Sequence, residues 1–120
     1  MDKTILVADD SPTELRLVLA LLQDQGYKIV TAVDGVDAIE KAEATNPHLA
    51  ILDVVMPKKN GFQVTRHLKT SDNTKSVKII LLTSKDQDAD KFWGIRQGAD
   101  VYITKPFDTQ LLVKTVAELI

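Results

Sequence analysis

Apolar residues occur along the chain in short blocks, and their period switches repeatedly between that of a strand and that of a helix. Four blocks are apolar almost throughout, as is typical of strands buried on both faces of a parallel sheet. A fifth block, residues 28–32, alternates polar and apolar residues like a half-exposed edge strand. The four buried blocks are Ile5-Leu6-Val7-Ala8, Leu49-Ala50-Ile51-Leu52, Ile79-Ile80-Leu81-Leu82 and Val101-Tyr102-Ile103-Thr104.

Each predicted strand is followed by a stretch with helical spacing of its apolar residues. Before the first of these, Ser11 suits the N-cap, Pro12 the first helical position and Glu14 the third position of a capping box. That helix is predicted to end at Gly26. The other four helices are predicted from Asp34-Gly35 to Asn46-Pro47, from about Gly61 to Thr70, from about Gln87 to Gln97, and onward from a cap at Asp108.

Five strands alternating with five helices predict an α/β fold with a doubly wound, five-stranded parallel sheet. Right-handed crossovers and helices on both faces favour the strand order 2-1-3-4-5. Residues 1–120 are expected to form one domain, since no repeat or linker interrupts the pattern. In this order the first and third strands are neighbours at the centre of the sheet, whose carboxyl edge is where such folds bind ligands.

Composition excludes several classes of function. The formal net charge of −2 gives no general attraction to nucleic acid or to an anionic membrane, and no apolar run is long enough to span a bilayer. The first strand starts too close to Met1 to leave room for a signal peptide. The absence of cysteine excludes disulfides and thiolate metal sites. We expect a cytoplasmic monomer that binds neither nucleic acid nor membranes.

Three carboxylates follow the two central strands directly. Asp9 and Asp10 come after the first strand, and Asp53 comes after the third. Carboxylates this close repel one another, so at least one pKa should be raised unless a cation is bound, and Mg²⁺ prefers such oxygen ligands. Asp9 and Asp10 alone are equally well explained as acids that favour a helix N-terminus. That explanation does not cover Asp53, so the three together predict a cation site.

The ends of the other two buried strands add groups suited to phosphoryl chemistry. A carboxylate beside Mg²⁺ can act as a nucleophile toward phosphorus, and the transferring group needs positive charge and hydrogen-bond donors around its oxygens. Lys105 offers an ammonium group, Thr83 offers a hydroxyl, and the loop of residues 54–57 offers backbone N–H groups. Each residue alone is an ordinary strand-end residue. Their coincidence at one edge predicts a site that handles a phosphoryl group.

These strand ends, together with the loops that follow them, resemble the receiver domain of two-component response regulators, which is CheY-like in type. The resemblance covers the whole chain. The segments that carry it are Asp9-Asp10, Asp53-x-x-Met56-Pro57-x-x-x-Gly61, Leu82-Thr83 and Lys105-Pro106-Phe107.

The resemblance implies a role for each matching residue. Asp53 would be the phosphoacceptor, and Mg²⁺ would be bound by Asp10, Asp53 and the backbone carbonyl of Val55. Asp9 would assist the metal, often through water.

It also implies how a phosphorylated site would be sensed. Thr83 and Tyr102 would be the switch pair, and Lys105 would contact the phosphoryl group. A cis peptide bond is implied between Lys105 and Pro106, although cis bonds are uncommon even before proline.

By the same resemblance, the phosphodonor would be a histidine kinase and the chain would act on a separate output protein, because it ends where the last predicted helix ends. Such a domain is a phosphoacceptor that assists its own phosphorylation and dephosphorylation, and is not an enzyme in the usual sense. Residues 11–14 and 85–99 resemble single-domain receivers of twitching-motility (type IV pilus) systems. Chemotaxis-type receivers are close neighbours of that group.

Two other classes of protein share parts of this pattern. A flavodoxin-like nucleotide or flavin module would present glycines or hydroxyls to phosphate after its first strand, where this chain has Asp9 and Asp10. A Mg²⁺-dependent phosphatase with an aspartyl nucleophile usually has a second acid two residues later, where this chain has Val55. In the fourth helix we expect Phe92 and Trp93 to pack in the core, and Ile95 to be partly exposed.

Overall fold

Five strands and five helices alternate along the chain in a computed structural model that describes residues 2–120. Within this range no helix is both long enough and apolar enough to cross a bilayer. The strands are β1 (Thr4–Ala8), β2 (Lys28–Ala32), β3 (Leu49–Leu52), β4 (Lys78–Thr83) and β5 (Val101–Thr104). The helices are α1 (Pro12–Gln23), α2 (Gly35–Thr45), α3 (Gly61–Thr70), α4 (Asp88–Gln97) and α5 (Thr109–Leu119).

All strands are parallel and lie in the order β2-β1-β3-β4-β5, which confirms the predicted fold and topology. The register places Ala8 beside Leu52 at the centre of the sheet. Farther along the same edge, Thr83 lies beside Thr104. Asp9 and Asp53 therefore follow the ends of two adjacent central strands, and Lys105 follows the end of β5, next to the end of β4.

The inner strands β1, β3 and β4 are buried on both faces, which explains why they are unbroken apolar runs, whereas the edge strand β2 is only partly buried. Ile5 and Val7 of β1 belong to a core shared with α1 and α5, whereas Leu6 and Ala8 belong to a core shared with α2 and α3. Full burial of one such aliphatic side chain contributes about 1.5–3 kcal/mol. Two cores built this way hold the strand ends in fixed positions relative to one another.

Helix α4 departs from the prediction. Phe92 is 65% exposed and Trp93 is 50% exposed, so the expectation that they pack in the core is wrong, whereas the predicted exposure of Ile95 is confirmed at 50%. The buried positions of α4 are Gly94 and Gln97. A Cβ added at Gly94 would meet the ring of Tyr102 at 2.9 Å, so the helix approaches β5 through a residue without a side chain. The aromatic residues of α4 consequently face away from the sheet.

Candidate functional site

The ammonium group of Lys105 lies at the centre of a cluster of carboxylates at the carboxyl edge of the sheet. Its Nζ is 2.8 Å from Asp9 Oδ2, 2.9 Å from Asp53 Oδ2 and 2.9 Å from Glu14 Oε2. Asp9 and Asp53 are buried, and only 10% of the Lys105 side chain is exposed. Buried charges are tolerated when they are paired and hydrogen-bonded, and this cluster satisfies both conditions.

Backbone hydrogen bonds continue the sheet one residue beyond its strands and so fix the cluster. The Asp53 N–H donates to the carbonyl of Ala8 at 3.0 Å, and the Asp9 N–H donates to the carbonyl of Ala32 at 3.1 Å. On the other side, the Lys105 N–H donates to the carbonyl of Thr83 at 2.8 Å. The peptide bond between Lys105 and Pro106 is cis, which confirms that prediction.

Each buried carboxylate is held at both of its oxygens. Oδ1 of Asp53 accepts a hydrogen bond from the Val55 N–H at 3.0 Å, and Oδ1 of Asp9 accepts one from the Ser11 N–H at 2.9 Å. The two Oδ2 atoms face Lys105. Such turns, in which an aspartate accepts from the backbone two residues later, orient a carboxylate without help from a neighbouring element.

Burial is the main reason that the pKa of Asp9 is raised above its usual value. Hydrogen bonds from Lys105 and Ser11 oppose this shift, and the charge of Asp53 adds a smaller upward contribution. The predicted rise of a carboxyl pKa is therefore confirmed at Asp9, although burial matters more than repulsion between carboxylates. For Lys105, burial lowers the pKa, but hydrogen bonds to the three carboxylates outweigh it and the net shift is upward. Lys105 is thus charged throughout the physiological pH range.

Glu14 is the member of the cluster that sequence reasoning missed. Its own N–H donates to Ser11 Oγ at 3.4 Å, as a cap requires, but its carboxylate does not complete the predicted capping box. The Ser11 N–H is already bonded to Asp9, so the Glu14 carboxylate reaches Lys105 instead. An acid in the first turn of the helix that follows an acidic strand end is the signal that could have revealed it.

The third carboxylate of the cluster is therefore Glu14, whereas the sequence suggested Asp10. Asp9, Glu14 and Asp53 each offer one oxygen within 4.8 Å of the others. Asp10 is exposed at the same edge and lies outside this group. Val55 is also exposed, beside the buried Asp53. Carboxylates and a backbone carbonyl, part buried and part open to water, are the donor set that suits a partly hydrated Mg²⁺.

Thr83 and Tyr102 are connected through the backbone of Lys85. The fully buried Thr83 accepts a hydrogen bond at Oγ1 from the Lys85 N–H at 3.3 Å. The Tyr102 hydroxyl donates to the Lys85 carbonyl at 2.7 Å. Burial, with smaller contributions from nearby aspartates, raises the pKa of Tyr102 to about 12, so its phenol keeps this proton at neutral pH. A movement of Thr83 can thus reach Tyr102 through one residue.

Residues 5–117 match the family model of the response regulator receiver domain. The chain belongs to this family, which confirms the resemblance seen in its motifs. It is a phosphoacceptor domain of two-component signalling, and the family match decides against the flavodoxin-like and phosphatase alternatives.

The chain is similar over nearly its full length to single-domain proteins of this family. It is 44% identical to the protein PilH of Pseudomonas aeruginosa over 112 residues, which are 93% of each chain. Its structure resembles that of the chemotaxis protein CheY4 of Vibrio cholerae, with a TM-score of 0.92, 32% identity and 100% of both chains covered. It also resembles the receiver domain of the P. aeruginosa sensor histidine kinase PA1611, with a TM-score of 0.91, 26% identity, and 99% and 98% of the chains covered. The PA1611 structure holds a magnesium ion in its active-site cleft.

Proposed function

We propose that Asp53 accepts a phosphoryl group from a histidine kinase. The observation that carries this proposal is the Asp53 carboxylate, held between the Val55 N–H at 3.0 Å and the Lys105 ammonium at 2.9 Å. A carboxylate oxygen of Asp53 forms the bond to phosphorus while the bond from phosphorus to the donor's histidine nitrogen breaks. The electron pair of that broken bond stays on the imidazole, which takes a proton from water.

Asp10, Asp53 and the backbone carbonyl of Val55 would hold Mg²⁺, with Asp9 assisting through water. Support comes from the oxygen donors at this edge, from the close grouping of Asp9 and Asp53, and from the magnesium-containing PA1611 receiver. When bound, the metal neutralises charge on the phosphoryl oxygens.

Lys105 and Thr83 supply the protein's own stabilisation of the phosphoryl group. The Lys105 ammonium already lies 2.9 Å from the proposed acceptor carboxylate, so a short movement brings it to a phosphoryl oxygen. Donors placed in advance stabilise the charge that develops during both transfer and hydrolysis. In this proposal the domain thereby assists its own phosphorylation and dephosphorylation.

The phosphorylated domain would bind a separate output protein, in type IV pilus motility or in chemotaxis-type signalling. The similarity to PilH and to the chemotaxis protein CheY4 supports this choice of pathway. The proposal places the chain in the cytoplasm as a monomer.

Acetyl phosphate should label Asp53, and only when Mg²⁺ is present. Intact-protein mass spectrometry of the native protein should show one added phosphoryl group, and Asp53→Ala should show none. Asp10→Ala should lose most of the Mg²⁺ affinity, since it removes a direct ligand. Asp72→Ala, which removes an exposed carboxylate on the α3–β4 connection, is the matched control and should label like the native protein. Undiminished labelling of Asp53→Ala would refute the proposal.

Switching would follow from the link between Thr83 and Tyr102. A phosphoryl group adds negative charge and acceptor oxygens, toward which the Thr83 hydroxyl can turn. That turn removes the acceptor of the Lys85 N–H and shifts the carbonyl that holds Tyr102. Moving a domain from 1% to 99% active takes about 5.5 kcal/mol. One charge-assisted hydrogen bond contributes about 1.5–3 kcal/mol, so Thr83 needs the help of Lys105.

A Thr83→Ala variant should accept phosphate, but phosphorylation should change the environment of Tyr102 much less than it does in the native protein. Beryllofluoride with Mg²⁺ should change the aromatic NMR signals of Tyr102 in the native protein, and this change should be largely lost in Thr83→Ala. Thr70→Ala, which removes an exposed hydroxyl on α3, should respond like the native protein. Equal Tyr102 responses in Thr83→Ala and native protein would show that the coupling does not pass through Thr83.

A further inference from the structure

All three N–H donors of the Lys105 ammonium group are in use. They reach one oxygen each of Asp9, Glu14 and Asp53, at 2.8, 2.9 and 2.9 Å. An ammonium group has no further donor. Once Asp53 carries a phosphoryl group it is no longer a carboxylate, so the donor aimed at Asp53 passes to a phosphoryl oxygen. Lys105 has to shift toward that oxygen while it still donates to Asp9 and Glu14.

The three carboxylates differ in how easily they can lose Lys105. The side chains of Asp9 and Asp53 are 8% and 9% exposed, whereas that of Glu14 is 45% exposed. Only Asp9 and Glu14 remain carboxylates when Asp53 is phosphorylated. The buried Asp9 would be left without water to replace Lys105, which is costly. The Glu14 carboxylate can exchange Lys105 for water, so its release costs less.

No hydrogen bond to the start of α1 holds the Glu14 carboxylate in place. In a complete capping box its side chain would bond the N–H of Ser11, but Asp9 takes that N–H at 2.9 Å. The hydrogen bond to Lys105 is the only one found for the Glu14 carboxylate among residues 2–120. Glu14 thus contributes a hydrogen bond that can be released without disturbing the start of α1.

We propose that Glu14 is a positioning residue that holds Lys105 in its resting place, and whose release lets Lys105 move toward a phosphoryl oxygen on Asp53. This inference rests on the proposed function of Asp53. Glu14 opposes the transfer of Lys105 to the phosphoryl group, so it lowers the affinity of the domain for that group. The strength of the Glu14–Lys105 bond then sets how readily the domain is phosphorylated.

The affinity for beryllofluoride at saturating Mg²⁺ measures how strongly Glu14 opposes the transfer of Lys105 to the phosphoryl group. This assay needs no kinase, which could itself contact α1. Glu14→Gln keeps the size of the side chain and removes its charge, and it should bind beryllofluoride about two- to fivefold more tightly than the native protein. Glu40→Gln makes the same change at an exposed position of α2 and should bind like the native protein. Asp53→Ala should not bind at all.

Glu14→Asp distinguishes the effect of the hydrogen bond to Lys105 from the effect of the negative charge. It keeps the negative charge near the site, but its side chain is one methylene shorter and should no longer reach Lys105. Tighter beryllofluoride binding in both Glu14→Gln and Glu14→Asp is the result we expect. Tighter binding in Glu14→Gln alone would show that charge, rather than the hydrogen bond, matters, and would overturn the inference.

The Lys105 ammonium signal in ¹H–¹⁵N NMR reports the Glu14–Lys105 hydrogen bond independently of phosphorylation. Its protons should exchange with water faster in Glu14→Gln and Glu14→Asp than in the native protein, and equal exchange would overturn the inference. Absence of beryllofluoride binding to the native protein would overturn the proposed function and the release step with it. Equal binding by native and Glu14→Gln protein would overturn the role of Glu14 alone and leave the function of Asp53 standing.

Discussion

A Gly61→Ala variant is expected to unfold at a markedly lower denaturant concentration than the native protein, and to accept less phosphate from acetyl phosphate. A Cβ at this position would fall against the carbonyl oxygen of Asp53 and lie 2.9 Å from both the Asp53 carbonyl carbon and Val54 Cα. These are backbone atoms, so no side-chain rotation relieves the clash. Forcing an extra methyl group into a packed interior costs about 1–3 kcal/mol.

The sign of the Gly61→Ala effect is diagnostic. Gly61 is the first residue of α3, and without a clash alanine would be favoured over glycine in a helix by up to about 1 kcal/mol. Urea unfolding followed by circular dichroism measures the change. Gly26→Ala measures the cost of backbone strain without a clash, because a Cβ there meets nothing within 4 Å and alanine at φ +91° is strained by the left-handed backbone alone. A Gly61→Ala variant as stable as the native protein would contradict the close approach of α3 to Asp53.

This close approach gives a physical reason for the glycine that ends the motif running from Asp53 to Gly61. The Gly61 N–H donates to the carbonyl of Val54 at 2.9 Å, which draws the start of α3 onto the loop after β3. A side chain at residue 61 would push away the backbone that carries Asp53. The glycine therefore sets the position of the proposed phosphoacceptor without touching its carboxylate.

Much of the fold was predictable because four of the five strands are unbroken apolar runs and several helices begin with a recognisable cap. These runs predict four strands and the alternating pattern predicts β2. The rule that parallel strands present ligands at their carboxyl ends then groups Asp9, Asp53, Thr83 and Lys105. Asp34 and Asp108 begin α2 and α5 with the side-chain hydrogen bonds that their residue types predict. These features depend on local sequence and on topology, both of which can be deduced from the chain.

Features that depend on which partner a side chain selects could not be predicted. Glu14 has the residue type and spacing of a capping box, but Asp9 takes the backbone N–H that it would need. Phe92 and Trp93 lie on roughly the same side of the helix as Ala89 and Arg96, which predicts that they pack in the core. In the structure, however, α4 meets β5 through Gly94. In both cases two arrangements satisfy the local pattern, and contacts from elsewhere in the chain decide between them.

Replacing Lys105 with methionine should have the largest effect of any single change at the site, and the effect should depend on Mg²⁺. Without the ammonium group, the buried carboxylates of Asp9 and Asp53 lose the positive charge that lies 2.8 and 2.9 Å away. Removing one partner of a buried ion pair destabilises a protein by about 3–5 kcal/mol. Urea unfolding in EDTA should show a loss of this size for Lys105→Met.

The matched control is Lys75→Met, because Lys75 pairs with Asp72 on the surface, where 63% and 95% of the side chains are exposed. Such a pair contributes at most about 1 kcal/mol. The control should therefore unfold almost like the native protein, with and without Mg²⁺. A loss in Lys75→Met equal to that in Lys105→Met would show that burial of the cluster is not the cause.

Mg²⁺ should restore part of the stability of Lys105→Met. The proposed metal ligands share the Asp53 carboxylate with Lys105, so the ammonium competes with the cation for the same negative charge. Calorimetric titration should accordingly show Mg²⁺ binding about tenfold or more tightly to Lys105→Met than to the native protein, since a difference of about 1.4 kcal/mol in binding free energy suffices.

A ligand that binds only the folded state raises its stability, so the unfolding curves of native and variant protein should approach each other as Mg²⁺ is added. Tighter metal binding combined with weaker transmission to Tyr102 would separate the two roles of the site: carboxylates that hold the cation, and an ammonium that senses the phosphoryl group. Unchanged Mg²⁺ affinity in Lys105→Met would instead place the metal away from Asp53.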